Sequence, residues 1–167
     1  MTTQLEKAQA MQALHEGPDT FLVPNPWDVG SARVFESFGF KALATTSAGL
    51  AYALGKLDGG VTLNEKVAHC RALSEATQIP LTADLENGYA HEPEGGAETI
   101  QRIAEAGAVG GSIEDWSGEV RAVLGVTAGA AFFERVPALR RTLLGISFGG
   151  VAIVVVVSPP DRTDDGV

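Results

Sequence analysis

Four short runs, at residues 21–23, 42–46, 81–85 and 109–113, alternate with stretches of helical periodicity, and this alternation constrains the fold more than any other feature. Leu5, Ala8, Met11 and Leu14 recur at helical spacing and predict a leading helix. Residues 31–38 predict a second helix, with Val34, Phe35 and Phe38 on one side and Gly39 as its stop. Thr62-x-x-Glu65 is a capping box that opens a helix reaching to about residue 77. Residues 97–106 predict the next helix, closed by Gly107. Strand–helix alternation implies a parallel sheet with right-handed crossovers. Doubly wound sheets and (β/α)8 barrels share this pattern, so periodicity leaves both open.

The chain has 167 residues, which fits one domain, and 45% of them are hydrophobic. The net charge of -9 argues against nucleic acid or an anionic membrane as a partner. Cys70 is the single cysteine; it excludes an intrachain disulfide and falls among apolar residues at helical spacing, which makes it a core thiol. The N-terminus is polar and carries Glu6, unlike a signal peptide, and the apolar stretch at residues 143–157 is interrupted by glycines and shorter than a membrane span. A cytoplasmic location is the expectation.

Ligands bind at the C-terminal ends of parallel strands in either architecture. Here those ends are polar. The first run ends in Pro24-Asn25-Pro26-Trp27-Asp28, which adds Asn25 and Asp28 to the candidate substrate-binding residues. The second ends in Ser47-Ala48-Gly49, the third carries Asp84 and Glu86, and the fourth ends in Glu114-Asp115-Trp116. Asp84 and Glu86 are two apart in an extended segment and would point the same way, with Glu114 on the neighbouring strand. Such carboxylates repel one another unless a cation sits among them, and oxygen-only ligands suit Mg²⁺ or Mn²⁺ rather than zinc. The alternative is that they are solvated loop acids or helix caps. Ser47, Ala48 and Gly49 either offer backbone N–H groups to an anion or form a plain tight turn. Asp58 lies in a long loop that either closes over a site or simply turns. No phosphate-binding P-loop and no G-x-S-x-G elbow is present, and Gly107-Ala108-Val109-Gly110-Gly111 precedes a strand, the wrong context for a dinucleotide fingerprint. His15, His69 and His91 lack metal spacing and read as surface histidines.

At these residues the chain resembles the isocitrate lyase/phosphoenolpyruvate mutase superfamily, and within it the group called carboxyphosphonoenolpyruvate phosphonomutase-like. The likeness is carried by four motifs in order: residues 23–33, residues 44–50, Thr82-Ala83-Asp84-Leu85-Glu86-Asn87-Gly88-Tyr89, and Ser112-Ile113-Glu114-Asp115. It covers about residues 8–118. The resemblance implies a (β/α)8 barrel, oligomeric assembly, and an enzyme that makes or breaks a C–C or P–C bond beside the carboxylate of a small 2-oxo acid. It also implies that Asp84, Glu86 and Glu114 hold Mg²⁺ (or Mn²⁺), that Asp58 is the carboxylate of a gating loop, and that Ser47, Ala48 and Gly49 grip the substrate. Catalytic residues stay unassigned.

Two departures accompany the likeness. The lyase branch carries a Lys-x-Cys-Gly-His loop after the fourth strand, where this chain has Trp116-Ser117-Gly118-Glu119-Val120. Residues 1–119 balance to -10 and residues 120–167 to +1, and no fifth strand with a substrate-binding arginine is recognisable beyond Gly118. The expected organisation is the N-terminal half of a (β/α)8 barrel over residues 1–118, about four strand–helix units, followed by an atypical tail at 119–167 that is divergent or frame-shifted. A standard barrel needs roughly 200 residues or more. The function expected is therefore a Mg²⁺-dependent lyase or phosphonomutase. The alternatives are a truncated, inactive relative and a small-anion binding module without turnover.

Overall fold

The structure, a computed structural model, describes residues 2–114, 143–148 and 151–156; the last two segments are described by their backbone alone. Among the described residues, five helices and five strands follow in the order α1 (Gln4–Glu16), α2 (Val29–Ser37), β1 (Leu43–Ala44), α3 (Ser47–Ala53), α4 (Leu63–Ala76), β2 (Leu81–Asp84), α5 (Pro93–Glu105), β3 (Gly110–Glu114), β4 (Leu143–Phe148) and β5 (Val151–Val156). Among the described residues no helix is long and apolar enough to cross a membrane.

The sheet order is β1-β2-β3-β5-β4. β1, β2 and β3 pair in parallel, as the strand–helix alternation requires. β5 pairs antiparallel with β3, and β4 antiparallel with β5. Three of the four expected parallel strands are therefore present. The first expected strand, residues 21–23, is not one of them. Pro24 and Pro26 carry no N–H, so this segment cannot build a ladder there. It lies beside β1 through one backbone hydrogen bond, from Ala44 N–H to the Pro24 carbonyl at 3.1 Å, and through the Asn25 side chain.

Local chemistry explains the helix boundaries. Thr62 and Glu65 close the expected capping box on α4, and Thr3 and Glu6 close a second one on α1. Gly39 and Gly107, the expected helix stops, lie in the left-handed region at φ 87° and 95°. α5 begins four residues earlier than its apolar periodicity suggests, because Pro93 stands in its first turn, where a missing N–H costs nothing.

The core sets the orientation of the site. In β2, Leu81 and Ala83 are buried against α2, α4 and α5 with Ala32, Cys70, Leu73, Ile100 and Ile103. Full burial of a leucine such as Leu73 or Leu81 stabilises by roughly 1.5–3 kcal/mol. Strand alternation then turns Thr82 and Asp84 to the other face of the sheet. α1 packs Ala8 and Met11 on Ala42 and Val109, which lie just before β1 and β3. That helix covers the N-terminal end of the strands and leaves the polar C-terminal end for chemistry. α1 also contributes Lys7, a buried lysine whose Nζ donates to the carbonyls of Ser74 and Thr77 at 2.7 Å each, meeting the otherwise unpaired end of α4.

Candidate metal and anion site

The site is assembled where β2 ends. Leu85 N–H still reaches the Ser112 carbonyl at 2.9 Å, but the chain then leaves the extended conformation. Glu86 and Tyr89 have φ of 50° and 54°, and Gly88 lies at 78°. Two non-glycine residues in the left-handed region each store about 1–2 kcal/mol of strain, and such strain gathers at functional sites. Asp84 and Glu86 are thus not two steps along one straight strand; the turn at Glu86 sets the second carboxylate.

Hydrogen bonds hold both acids. Asp84 Oδ2 accepts the Ser47 N–H at 2.9 Å and Oδ1 accepts the Glu86 N–H at 3.2 Å. Asp84 N–H donates to the buried Thr45 hydroxyl at 2.9 Å. Glu86 is 8% exposed, and its Oε1 accepts the Tyr89 hydroxyl at 3.2 Å. Burial raises the Glu86 pKa, and the negative charges of Asp84 and Asp58 add to the rise; the Tyr89 hydroxyl and Lys66 oppose it. Burial first, and then Glu86, likewise raise the Tyr89 hydroxyl.

Glu114 ends β3. The register Asp84 with Ser112 puts Asp84, Ser112 and Glu114 on one face at one end of the sheet. Glu114 N–H donates to the Glu86 carbonyl at 2.6 Å, so the two residues are backbone neighbours. Asp58 is exposed on its loop, where its Oδ1 accepts the Gly59 N–H at 3.1 Å. The base of that loop is pinned to α4 by Lys56 and Glu65 at 2.6 Å, and the Lys56 hydrogen bond, ahead of Thr62, draws the Glu65 carboxyl down to about 2. Asp84, Glu86 and Glu114 therefore share one rim, with Asp58 within electrostatic reach of Glu86. Among the described residues no three His, Cys, Asp or Glu side chains are arranged to hold a metal ion.

The Ser47-Ala48-Gly49 segment is the first turn of α3, not an isolated tight turn. Thr46 is extended, and its hydroxyl accepts the Gly49 N–H at 3.1 Å, which nucleates a helix. A side chain at Gly49 would collide with Thr46 and crowd Trp27, so close packing explains the glycine. Asn25 and Asp28 are occupied by the scaffold. Asn25 Nδ2 donates to the Ala44 carbonyl at 3.1 Å. Asp28 caps α2, and the Ser31 N–H on its carboxylate at 2.7 Å holds its pKa below the usual range.

Three participants had no role assigned from the sequence, although Tyr89 closes the motif that holds Asp84 and Glu86. Tyr89 partners Glu86, and Lys66 is fully buried beneath the rim. His69, read as a surface histidine, is partly enclosed, with Nε2 3.0 Å from the Trp27 carbonyl. Burial, ahead of the charge of Lys66, lowers its pKa to about 4. The signal for Lys66 was present: the capping box fixes the register of α4, and Lys66, Cys70 and Leu73 then fall on one stripe. The loop at Trp116 to Val120, Asp115 and most of the tail lie outside the described residues.

Comparison with known proteins identifies the family of the chain. The family described as phosphoenolpyruvate phosphomutase matches residues 11–148, extending past the four motifs. Probable 2-methylisocitrate lyase 2 of Corynebacterium glutamicum is 29% identical over 111 residues, covering 66% of this chain and 36% of that protein. The crystal structure of a protein from Burkholderia cenocepacia J2315, described as a candidate lyase/mutase, is 42% identical with a TM-score of 0.73, covering 80% of this chain and 51% of the other. That of 2,3-dimethylmalate lyase, a PEP mutase/isocitrate lyase superfamily member, is 30% identical with a TM-score of 0.66, covering 81% and 50%. The chain spans about half the length of these solved proteins and 36–40% of the curated relatives it matches. With a family match across most of its residues, the chain belongs to the phosphoenolpyruvate phosphomutase family, in the PEP mutase/isocitrate lyase superfamily.

Proposed function

We propose that this chain carries the metal- and carboxylate-binding half of a Mg²⁺-dependent lyase or phosphonomutase, acting on a C–C or P–C bond of a small 2-oxo acid or related carboxylate. The observation that carries the reading is the Asp84–Glu86 pair, cross-braced to Ser47 and Tyr89 at the C-terminal rim of parallel strands. The chemistry of the donors suits a hard divalent cation, although among the described residues three such side chains do not converge on one point and would have to turn inward to close on it. The donor set is oxygen only, and Glu86 is enclosed beside the like charge of Asp84, a repulsion that a cation between them would relieve. Asp84, Glu86 and Glu114 would hold Mg²⁺ or Mn²⁺, with Asp58 approaching from its loop. When bound, the cation would act as a Lewis acid on the substrate carbonyl. The first turn of α3, Ser47 to Gly49, would face the substrate carboxylate, and Asn25 and Asp28 would shape that end of the cavity from the scaffold. In this reading residues 1–118 are the front of a (β/α)8 barrel, and the assembly is a cytoplasmic homo-oligomer.

A specific observation favours a second reading, in which the chain binds small anions without turnover. β5 pairs antiparallel along β3, the edge on which a parallel barrel would continue. The test separates the two. With Mg²⁺ present, oxalate or pyruvate should perturb the amide signals of residues 47–49, and changes confined to other regions would remove the substrate assignment. Turnover of 2-methylisocitrate, oxaloacetate or phosphonopyruvate above a metal-only control supports the enzyme; binding without turnover supports the second reading.

A further inference from the structure

Helix α4 buries two polar atoms that make no hydrogen bond, Lys66 Nζ and His69 Nδ1. Lys66 is the more demanding case, with 0% of the residue exposed. An ammonium enclosed without a partner is costly, and it keeps its charge only where nearby negative charge compensates. The capping box at Thr62 puts Lys66 in the first turns of α4. Because α4 leads back into β2, that end of the helix stands at the C-terminal end of the strands, under the rim. Burial, the largest influence, lowers the Lys66 pKa, and the negative charges of Cys70, Asp84 and Glu86 oppose it. Burial pushes the Cys70 thiol up to about 11, which leaves it neutral at pH 7. Asp84 and Glu86 are the two carboxylates that remain.

We propose that Lys66 is the internal counter-cation of the Asp84–Glu86 pair: from beneath the rim it offsets their mutual repulsion and competes with a divalent cation for the same field. Its Nζ stops short of hydrogen-bond contact, so the carboxylate oxygens stay committed to Ser47, Glu86 N–H and Tyr89 above it. The pair then persists without metal, and metal affinity is set below what bare carboxylates would give. The second half of the proposal rests on the metal reading above; the first does not.

Lys66→Met keeps the length of the side chain and removes its charge. The metal-free variant is expected to melt below wild type, and Lys66→Met/Glu86→Gln, with the repulsion removed, to regain the loss. Mn²⁺ binding, followed by electron paramagnetic resonance, is expected to tighten on the order of tenfold in Lys66→Met, the effect of deleting one nearby positive charge. A Lys66→Met protein that melts at or above wild type would overturn the proposal, because an uncompensated buried lysine is improved by an apolar replacement. If Lys66→Met alone does not fold, recovery of folding in the double variant supports the proposal, and continued failure overturns it. If neither wild type nor variant binds Mn²⁺, the metal reading fails, and the metal-free melts still decide the role of Lys66.

Discussion

The backbone N–H of Ser47 donates to Oδ2 of Asp84 at 2.9 Å, joining the first turn of α3 to the end of β2. Asp84 N–H returns to Thr45 Oγ1 at 2.9 Å, so the two strand ends are braced in both directions. A carboxylate held in this way is preorganised, and it serves structure as well as any ligand. Substitutions at Asp84 therefore need two readouts.

Asp84→Ala leaves the N–H groups of Ser47 and Glu86 without their acceptor, which is expected to cost about 1–3 kcal/mol. It is also expected to abolish stabilisation by Mg²⁺. Asp84→Asn keeps one carbonyl oxygen for Ser47 and should retain most of the stability while losing the Mg²⁺ response. Thermal melts with and without Mg²⁺ separate the effects. An unchanged Mg²⁺ shift in both variants would remove Asp84 from the metal set.

Thr62→Ala removes the hydroxyl that accepts the Glu65 N–H at the start of α4. The expected loss is about 1 kcal/mol, as for other caps. It is measured by urea unfolding at constant m-value. A loss much larger than this would mean that the cap also holds the Asp58 loop through the Glu65–Lys56 pair.

Capping residues and apolar runs speak locally, and that is why so much of the fold was legible. The parallel strands around Leu43, Leu81 and Ile113, the box at Thr62 and the stops at Gly39 and Gly107 follow from neighbours within a few positions. The position of Asp84 and Glu114 at strand ends is local in the same way, whereas whether the side chains converge is not, and among the described residues no three of them do. What stayed hidden depends on distant partners. Residues 21–23 form an apolar run like a strand, but Pro24 and Pro26 just after it deny the segment a ladder. Asp28 reads as a substrate group until Ser31 is seen to use it as a cap. Lys7 and Lys66 carry no local signal of burial by residue type, and tertiary packing encloses them.

Lys7 makes that point testable. Its ammonium meets the Ser74 and Thr77 carbonyls at the end of α4. Lys7→Met preserves much of the packing and strands both acceptors, so a loss of about 1–3 kcal/mol is expected in urea unfolding. A neutral or stabilising result would show that water or a local rearrangement satisfies these carbonyls without the lysine.

His69 gives a pH dependence whose sign can be worked out. Burial, and next the charge of Lys66, lower its pKa to about 4; the Trp27 carbonyl and Asp28 oppose the shift. In the unfolded chain an ordinary histidine titrates near 6.5. Above that value His69 is neutral in both states and adds no slope. As pH falls from about 6.5 to 4, the unfolded chain takes up a proton that the folded protein refuses, so stability declines, by roughly 1–3 kcal/mol in all. Glu86, whose pKa is raised, acts in the opposite sense over the upper part of the acid range, because there the folded state binds the extra proton. Asp28 and Glu65, held low, lose their contribution only at more acid pH. The decisive quantity is therefore the difference between wild type and His69→Gln, measured by urea unfolding from pH 7.5 to 4.5. The His69→Gln profile should be flatter across this window, with the curves diverging below about pH 6.5. Parallel curves would mean that His69 titrates alike in both states, and that its contact with Trp27 does not enclose it.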